Sequence, residues 1–185
     1  RPYRLPPTVK DDEGVRLFSS MSIKWNNNYG LGYASPFPGD AALNTFYSTT
    51  YRRIMNKQRG FDFYVSNPNY RAQTRSQVTW VKNVVPSEGA WVDCGAGFGL
   101  QLWTVQQMMP GWSLHAIEPD EEAINELQKF TKVEKDFPGF WRKQLFGPDA
   151  FNVISLSHVL EHLLDPIISL KTLFYYLKPG GYLLI

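Results

Sequence analysis

A glycine-rich turn at the end of an apolar run constrains this chain more than any other feature. The run ends at Asp93, and three glycines then alternate with other residues: Gly95, Gly97 and Gly99. Glycine adopts positive φ at little cost and has no Cβ, so the main chain can bend sharply and lie against a bound molecule. Residues 100–108 are predicted to form a helix, which puts unpaired N–H groups beside the turn. A doubly wound α/β fold holds nucleotides at such a turn.

The spacing of the glycines distinguishes between nucleotide ligands. Dinucleotide-binding turns follow G-x-G-x-x-G, whereas this turn reads G-x-G-x-G, with Leu100 where the third dinucleotide glycine would fall. Asp93 would oppose a pyrophosphate and favours a ligand that carries an amino group. The local pattern therefore favours S-adenosylmethionine over NAD, and Ala96 and Phe98 join the glycines as predicted cofactor contacts. A glycine-rich turn without any ligand is the structural alternative.

The order and spacing of the later segments resemble those of the class I S-adenosylmethionine-dependent methyltransferases. The family's (D/E)-x-G-x-G-x-G motif matches residues 93–99, and residues 113–117 match its second strand. Residues 151–162, F-N-V-I-S-L-S-H-V-L-E-H, are similar to a stretch found in small-molecule, quinone and sugar methyltransferases. The turn Lys178–Gly181 matches the family's L-K-P-G-G-x-L. Together these segments cover about half of the chain.

The resemblance implies a role for the acidic residue that ends the second strand. Glu118, followed by Pro119, stands where the family holds the ribose hydroxyls of the cofactor. Charge-assisted hydrogen bonds to two vicinal hydroxyls are strong. The alternative is a solvated carboxylate at a helix start, with Pro119 at the first helical position.

The resemblance also implies the fold. We expect a mainly parallel, Rossmann-like α/β sheet, doubly wound with helices on both faces, and an N-terminal helical extension. The best candidate for the third strand is residues 140–146, without a clear acidic residue after it, so the adenine contact stays unassigned. Asn152 replaces the usual aspartate and is expected to serve the strand edge. The C-terminal part of the usual fold is expected to be missing after Ile185, so a partner or a further segment would cover the last strand.

Three further residues are predicted to take part in binding or catalysis. Arg75 lies where similar enzymes place an arginine that meets the cofactor's carboxylate, although a surface arginine on an amphipathic helix is the alternative. Ser157 is expected to contact the cofactor. His158, at the end of the fourth strand, is the predicted general base, because histidine titrates near neutral pH.

A zinc site is the competing interpretation of the same histidines. His158 to His162 also fits H-x-x-E-H, a zinc-protease signature that requires a long helix. Pro166 follows closely and an apolar strand precedes, so no metal is predicted.

The N-terminal part is predicted to be an irregular and helical extension, residues 1–85, before the cofactor-binding domain, residues 86–185. The first forty residues are rich in turn signals and are expected to be irregular. Asp40 is expected to cap a helix that runs to about Asn56, and a second helix is expected over residues 70–84. The aromatic pair Tyr47 and Tyr51 could line the acceptor pocket or belong to the core.

Composition narrows the class of function. A formal net charge of +2, with scattered Lys and Arg, does not indicate nucleic acid. The single cysteine, Cys94, fits a reducing compartment and is expected to pack beneath the glycine loop. No membrane span or signal peptide is visible, which favours a cytoplasmic protein.

The sequence thus predicts an S-adenosylmethionine-dependent methyltransferase that acts on a small-molecule or glycan acceptor. O- and N-methylation both stay open. The alternatives are a non-catalytic domain that keeps the methyltransferase fold for binding or scaffolding, and an NAD-dependent oxidoreductase, which Leu100 disfavours.

Overall fold

A computed structural model describes residues 20–28, 30–51, 60–136 and 145–185. Contacts within the chain separate two compact units, residues 1–57 and residues 58–185. The division into domains at residue 85 stays a prediction.

A β-hairpin and a short helix form the described part of the first unit. Strands β1 (Ser22–Asn26) and β2 (Leu31–Ser35) pair antiparallel, and Gly30 in their turn has φ of 63°. Helix α1 (Asp40–Thr45) continues as a π-helical turn, Phe46–Thr50.

Two expectations for this unit were wrong, and one is confirmed in part. Residues 22–35 are not irregular, because the polar and apolar residues of Ser22–Asn26 alternate as in a strand and a glycine-containing turn brings Leu31–Ser35 back to pair with them antiparallel. The helix begins as predicted, but Gly39 occupies the cap position expected for Asp40. Its predicted end near residue 56 lies outside the described residues. Tyr47 and Tyr51 pack against each other, with ring centroids 5.3 Å apart.

Two helices precede the sheet in the second unit. Helix α2 (Phe61–Ser66) is short, and helix α3 (Pro68–Lys82) confirms the second predicted helix with slightly shifted ends. Asn67 caps α3 by accepting hydrogen bonds from the N–H groups of Asn69 (3.0 Å) and Tyr70 (3.4 Å). Its first position is a proline, whose missing N–H costs nothing there.

A parallel sheet of five strands forms the centre of this unit. The strands are β3 (Ala90–Cys94), β4 (Ser113–Ile117), β5 (Lys132–Glu134), β6 (Phe151–Ser155) and β7 (Leu177–Leu184), in the spatial order β5-β4-β3-β6-β7. Helices α4 (Leu100–Met108), α5 (Glu121–Leu127) and α6 (Pro166–Tyr176) alternate with them. The strand order reverses direction between β3 and β6, so ligands are expected at the carboxyl ends of these strands. The predicted doubly wound α/β fold is confirmed.

Two local predictions about this sheet were wrong. The third parallel strand is Lys132–Glu134 and not the predicted segment 140–146, of which residues 140–144 lie outside the described residues. Strand β7 already begins at Leu177 and includes the glycine pair, with an irregular register between Phe151 and Val153. The alternative that placed Pro119 at the first helical position is also wrong, because Asp120 is the cap and Pro119 precedes helix α5.

Side chains from α3, α4 and the sheet form the core. Val78 and Val81 of α3 are fully buried with Trp91, Leu102 and Val105.

Asn152 of β6 connects three strands by hydrogen bonds, since its Oδ1 accepts from the Ala90 N–H of β3 (3.0 Å) and from Lys178 Nζ of β7 (3.1 Å). Asn152 therefore serves the strand edges, as predicted.

Candidate active site

The glycine loop begins where β3 ends and is tied to the end of β4. The N–H groups of Gly95 (2.8 Å) and Ala96 (3.3 Å) both donate to the Ile117 carbonyl oxygen. Gly95, Gly97 and Gly99 have φ of 73°, 56° and 82°. All three φ values lie in the left-handed region, which favours glycine. The glycines alternate in the sequence because three alternate positions of this loop require a left-handed backbone.

Packing adds a second requirement at the last glycine. A Cβ on Gly99 would lie 2.6 Å from Leu127 Cδ2 and 2.8 Å from Phe130 Cζ. The start of α4 therefore approaches the end of α5 more closely than any other residue type allows. Gly99 serves this contact between elements as well as the turn itself.

Glu118 connects the glycine loop to helix α5. Its Oε2 accepts a hydrogen bond from the Gly97 N–H at 2.7 Å, and its Oε1 accepts one from the Asp120 N–H at 3.1 Å. The side chain is buried, and so is Pro119 beside it. Asp120 in turn caps α5 by accepting from the Ala123 N–H at 2.9 Å. The alternative of a solvated carboxylate is therefore wrong, because Glu118 is part of the wall of the loop.

Asp93 lies in a buried chain of hydrogen bonds beneath the loop. The indole Nε1 of Trp91 donates to Ser155 Oγ (2.8 Å), and this hydroxyl donates to Asp93 Oδ1 (2.6 Å). Burial raises the pKa of Asp93 from 3.8 to about 7; the Ser155 hydrogen bond lowers it, and the negative charge of Glu118 raises it. A buried carboxyl with this pKa changes charge near neutral pH.

Cys94 is a packing residue, as expected. Its side chain is fully buried at the end of β3. Burial and the neighbouring charge of Asp93 raise the pKa of the thiol well above its usual value. The thiolate needed for a nucleophile is therefore disfavoured.

Gln101 is a site residue that the sequence interpretation did not include. It lies in the first turn of α4 and is only 7% exposed. Its Oε1 accepts a hydrogen bond from Ser157 Oγ at 3.3 Å, while its Nε2 has no partner in the part of the chain that the structure describes. The sequence feature that could have identified Gln101 is its position two residues after the last glycine of the loop. Ser157, a predicted cofactor contact, thus joins the segment after β6 to the start of α4.

His158 is exposed and lies outside this network of hydrogen bonds. Its φ is 55°, which is unusual for a residue with a Cβ, and its side chain is 81% exposed. Its Nδ1 lies 3.7 Å from Glu161 Oε1. Burial lowers the pKa of His162; the charge of Glu161 raises it, and that of His158 lowers it.

The segment from His158 to His162 lacks the helix that a zinc-protease signature requires. Residues Leu160–His162 form a single 3₁₀ turn, and His158 has left-handed backbone angles. The two histidines therefore do not share one face of an α-helix. Within the described ranges, no group of three His, Cys, Asp or Glu side chains is arranged to hold a metal ion.

Aromatic side chains of α2 cover the glycine loop. Tyr64 packs against Phe98 of the loop, with ring centroids 6.0 Å apart, and Phe61 packs against Trp103 (6.1 Å) and Phe130 (6.2 Å). Phe98 is therefore buried, and its predicted contact with a cofactor stays a prediction.

Arg75 is exposed on α3, and its predicted contact with the cofactor's carboxylate likewise stays a prediction.

The corrected third strand adds an acidic residue near Glu118. The N–H of Glu118 donates to the Glu134 carbonyl oxygen at 3.2 Å, so β5 ends beside the ribose candidate. Asp136 follows two residues later and is half-buried. The alternation in Lys132-Val133-Glu134 was the available signal, but three residues are too few to distinguish a strand from a loop.

The donor and acceptor groups at this edge fit S-adenosylmethionine. The Glu118 carboxylate offers acceptors for hydroxyl groups, and the first turn of α4, which has no side-chain cap, offers backbone N–H donors. The model of the methyltransferase domain family matches residues 70–185, more than half of the chain. This chain belongs to the class I S-adenosylmethionine-dependent methyltransferase family. The predicted family, its enzyme class and its cofactor are thereby confirmed at the level of the family.

Two curated relatives support this membership. An uncharacterized methyltransferase of Schizosaccharomyces pombe is 23% identical over 134 residues, which are 66% of this chain and 48% of the relative. The tRNA U34 carboxymethyltransferase of Desulfotalea psychrophila is 28% identical over 133 residues, 66% of this chain and 41% of the relative. The chain spans about half the length of the curated relatives it matches.

Solved structures agree on the fold. The plantazolicin methyltransferase BpumL, in complex with SAH, is 19% identical with a TM-score of 0.55, over 74% of this chain and 53% of that chain. The [4+2]-cyclase SpnF is also similar, at 15% identity with a TM-score of 0.51, over 59% of this chain and 43% of that chain. Identities this low establish the fold alone. None of the helices in the described residues combines the length and apolar character needed to cross a membrane.

Proposed function

We propose that this chain binds S-adenosylmethionine at the carboxyl ends of β3 and β4 and transfers its methyl group to a small-molecule or glycan acceptor. The observation that carries the proposal is the buried Glu118 carboxylate, hydrogen-bonded to the Gly97 N–H at 2.7 Å. This hydrogen bond fixes the Glu118 carboxylate, which can accept hydrogen bonds from the ribose hydroxyls, beside the glycine loop that would bind the rest of the cofactor. Family membership supports the same ligand.

The residues divide between binding and catalysis. We assign the ribose hydroxyls to Glu118 and an electrostatic role toward the cofactor's amino group to Asp93, supported by its position between the loop and Ser155. The bound cofactor supplies an activated methyl group on a sulfonium, so the chain mainly has to align an acceptor and exclude water. Phe61 and Tyr64 would contribute to excluding water, since Tyr64 packs against Phe98 of the loop and Phe61 packs against Trp103 of α4.

His158 is the proposed general base for a hydroxyl acceptor. Its exposed ring lies beyond the end of β6, where open α/β sheets bind ligands. The nearby Glu161 carboxylate could orient the ring and stabilise a protonated imidazole. An amine acceptor could react without this base, so O- and N-methylation are both included in the proposal. A cytoplasmic location is included as well.

Calorimetric titration with S-adenosylmethionine and S-adenosylhomocysteine, with NAD as a control, tests the cofactor assignment. We expect micromolar binding of both sulfur ligands and none of NAD. Binding of NAD alone would favour the oxidoreductase alternative, and absence of all binding by a folded chain would favour a scaffolding domain.

Incubation with labelled S-adenosylmethionine and separate pools of acceptors tests the reaction. We expect label in hydroxylated or amine-containing small molecules or glycans. The relatives include a tRNA-modifying enzyme and an enzyme named for the peptide product plantazolicin, so tRNA and peptide pools are the matched comparisons. Labelling confined to those two pools would overturn the proposed acceptor class and leave the cofactor assignment intact.

A further inference from the structure

Three side chains from two neighbouring strands meet beneath the glycine loop and end at Asp93. Trp91 and Asp93 are two residues apart on β3, so they lie on the same face of the sheet. Asp93 pairs with Ser155 in the register of β3 and β6. Trp91 and Ser155 are fully buried, and Asp93 is 4% exposed. The strands themselves therefore bring the three side chains together.

The Ser155 hydroxyl has one hydrogen and two acceptors within reach. Its Oγ lies 2.6 Å from Asp93 Oδ1 and 3.5 Å from the Val92 carbonyl oxygen. An indole N–H can only donate, and that of Trp91 donates to Ser155 Oγ at 2.8 Å. This donation occupies a lone pair of the hydroxyl and leaves its hydrogen for the nearer acceptor. A distance of 2.6 Å is typical of a hydroxyl that donates to a carboxylate.

The two oxygens of Asp93 differ in their surroundings. Ser155 holds Oδ1, whereas Oδ2 accepts no hydrogen bond from the described residues. In the same part of the chain, one fully buried side-chain nitrogen or oxygen lacks a hydrogen-bond partner, and that atom belongs to Gln101. Asp93 Oδ2 is therefore not fully buried, and a ligand atom can reach it.

We propose that Ser155, oriented by Trp91, is a positioning residue that holds the Asp93 carboxylate with Oδ2 available to the amino group of bound S-adenosylmethionine. The inference rests on the proposed function, which assigns this amino group to Asp93. It adds the two residues that fix the carboxylate. Neither of them touches the cofactor, so both act through Asp93.

The same hydrogen bond favours the charged form of Asp93. Burial raises the pKa of Asp93 to about 7, the Ser155 hydrogen bond lowers it, and the negative charge of Glu118 after β4 raises it. The thiol of Cys94, next along β3, stays neutral because burial raises its pKa as well. An ammonium group is attracted by the ionised carboxylate and not by the neutral acid. Ser155 therefore contributes both the orientation and the charge of the contact.

Three ligands that differ in the amino-acid part test this role. S-adenosylhomocysteine carries an amino group and a carboxylate, its decarboxylated form keeps the amino group, and 5′-methylthioadenosine has neither. In calorimetry at pH 7, Ser155→Ala should bind the first two roughly tenfold more weakly, as expected for a lost hydrogen bond to a charged group. Binding of 5′-methylthioadenosine should stay within about twofold.

Ser169→Ala is the matched control for the serine variant. Ser169 on α6 is also fully buried, and its hydroxyl donates to the Asp165 carbonyl oxygen at 2.9 Å. This variant loses a buried serine hydroxyl at a place that does not involve Asp93. It should leave the affinity for all three ligands within about twofold.

The pH profile separates positioning from a purely structural role. In the natural protein, affinity for the two amino ligands should rise as the pH passes about 7, because Asp93 loses its proton there. Without the Ser155 hydrogen bond the pKa of Asp93 is higher, so in Ser155→Ala this rise should move to higher pH. A residue that only packs beneath the loop would weaken binding by the same factor at every pH.

Trp91→Phe tests the other member of the chain and serves if Ser155→Ala does not fold. It removes the donor that orients the hydroxyl, so we expect the same selective loss at roughly threefold. Trp112→Phe is its control. Trp112 lies in the same core with its ring centroid 6.1 Å from that of Trp91, but its indole donates to the Ser87 carbonyl oxygen at 3.2 Å. The control should weaken no ligand selectively.

Three results would overturn the inference. The first is unchanged binding of S-adenosylhomocysteine by Ser155→Ala, the second is equal weakening of all three ligands, and the third is a pH profile that the variant does not shift. If the unaltered chain binds none of the ligands, the proposed function itself fails. That outcome is visible before any variant is made.

Discussion

The loop between β3 and α4 and the turn after β6 lie at the same edge of the sheet but are built differently. In the first, Glu118 and Asp93 are buried and each accepts a hydrogen bond at 2.7 Å or less. In the second, His158 is 81% exposed and its Nδ1 lies 3.7 Å from Glu161 Oε1, beyond hydrogen-bond distance. A cofactor that is the same throughout a family can be bound by buried, rigidly held side chains. A methyl acceptor that differs among enzymes is better bound by exposed side chains that can adapt. The comparison therefore supports the proposed division of the site into a cofactor half at the glycine loop and an acceptor half at the turn after β6.

The largest expected effect is at the centre of the rigid half. Gly97→Arg places a long side chain at a residue with φ of 56° whose N–H is bound to Glu118. We expect binding of S-adenosylhomocysteine to weaken more than about a hundredfold, because both the turn and the space above it change. Calorimetry measures this loss.

Gly147→Arg is the matched control for the glycine variant. A Cβ at Gly147 meets no atom within 4 Å, so the same side chain should be accommodated there. Equal losses in the two variants would show that added charge, and not the glycine loop, decides binding. Circular dichroism identifies any variant that fails to fold.

The next effect concerns the carboxylate of Glu118. Two N–H groups donate to its two oxygens, so the amide in Glu118→Gln would turn its own NH2 group toward one of these donors. We expect roughly tenfold or greater loss of affinity for S-adenosylhomocysteine and a decrease of about 1–3 kcal/mol in the free energy of unfolding. Calorimetry and urea denaturation measure the two quantities.

Glu122→Gln provides the control, because Glu122 is exposed on helix α5, which begins shortly after Glu118. It should alter neither quantity by more than a small amount. If Glu118→Gln behaved in the same way, the assignment of Glu118 to the ribose would be wrong.

A third effect depends on pH and tests the buried charge. The folded-state pKa of Asp93 is raised from 3.8 to about 7 by burial, so the folded protein holds a proton that the unfolded chain releases. This stabilisation is complete below about pH 4 and is lost as the pH rises toward 7. In urea denaturation, the free energy of unfolding of the natural protein should fall across this window by up to about 4 kcal/mol relative to Asp93→Asn.

The asparagine variant keeps an oxygen that can accept the Ser155 hydroxyl while it removes the titration. Parallel pH profiles for the two proteins would mean that Asp93 does not titrate in this window. The assignment of a pH-dependent charge beneath the loop would then be withdrawn.

The same contrast explains what could be predicted from the sequence. The positions of the loop, of Glu118 after β4 and of the strands β3, β4 and β6 were predicted correctly, because glycine conformation, an apolar run and an acidic strand end are local signals. Strand β5 was missed because three residues carry too little periodicity, and its pairing to β4 is not local. Gln101 was missed because its meaning depends on Ser157, 56 residues away.

The smallest effect on cofactor binding and stability is expected in the adaptable half. The left-handed backbone of His158, at φ of 55°, suits glycine, so His158→Gly should leave the free energy of unfolding unchanged or raise it by about 1 kcal/mol. Binding of S-adenosylhomocysteine should stay within about twofold, because the ring is exposed and outside the hydrogen-bonded wall of the loop. Methylation of a hydroxyl acceptor should nevertheless fall by about a hundredfold or more, as expected when a general base is removed. A parallel loss of cofactor affinity would show that the turn after β6 belongs to the cofactor half, and the division between the two halves would have to be drawn elsewhere.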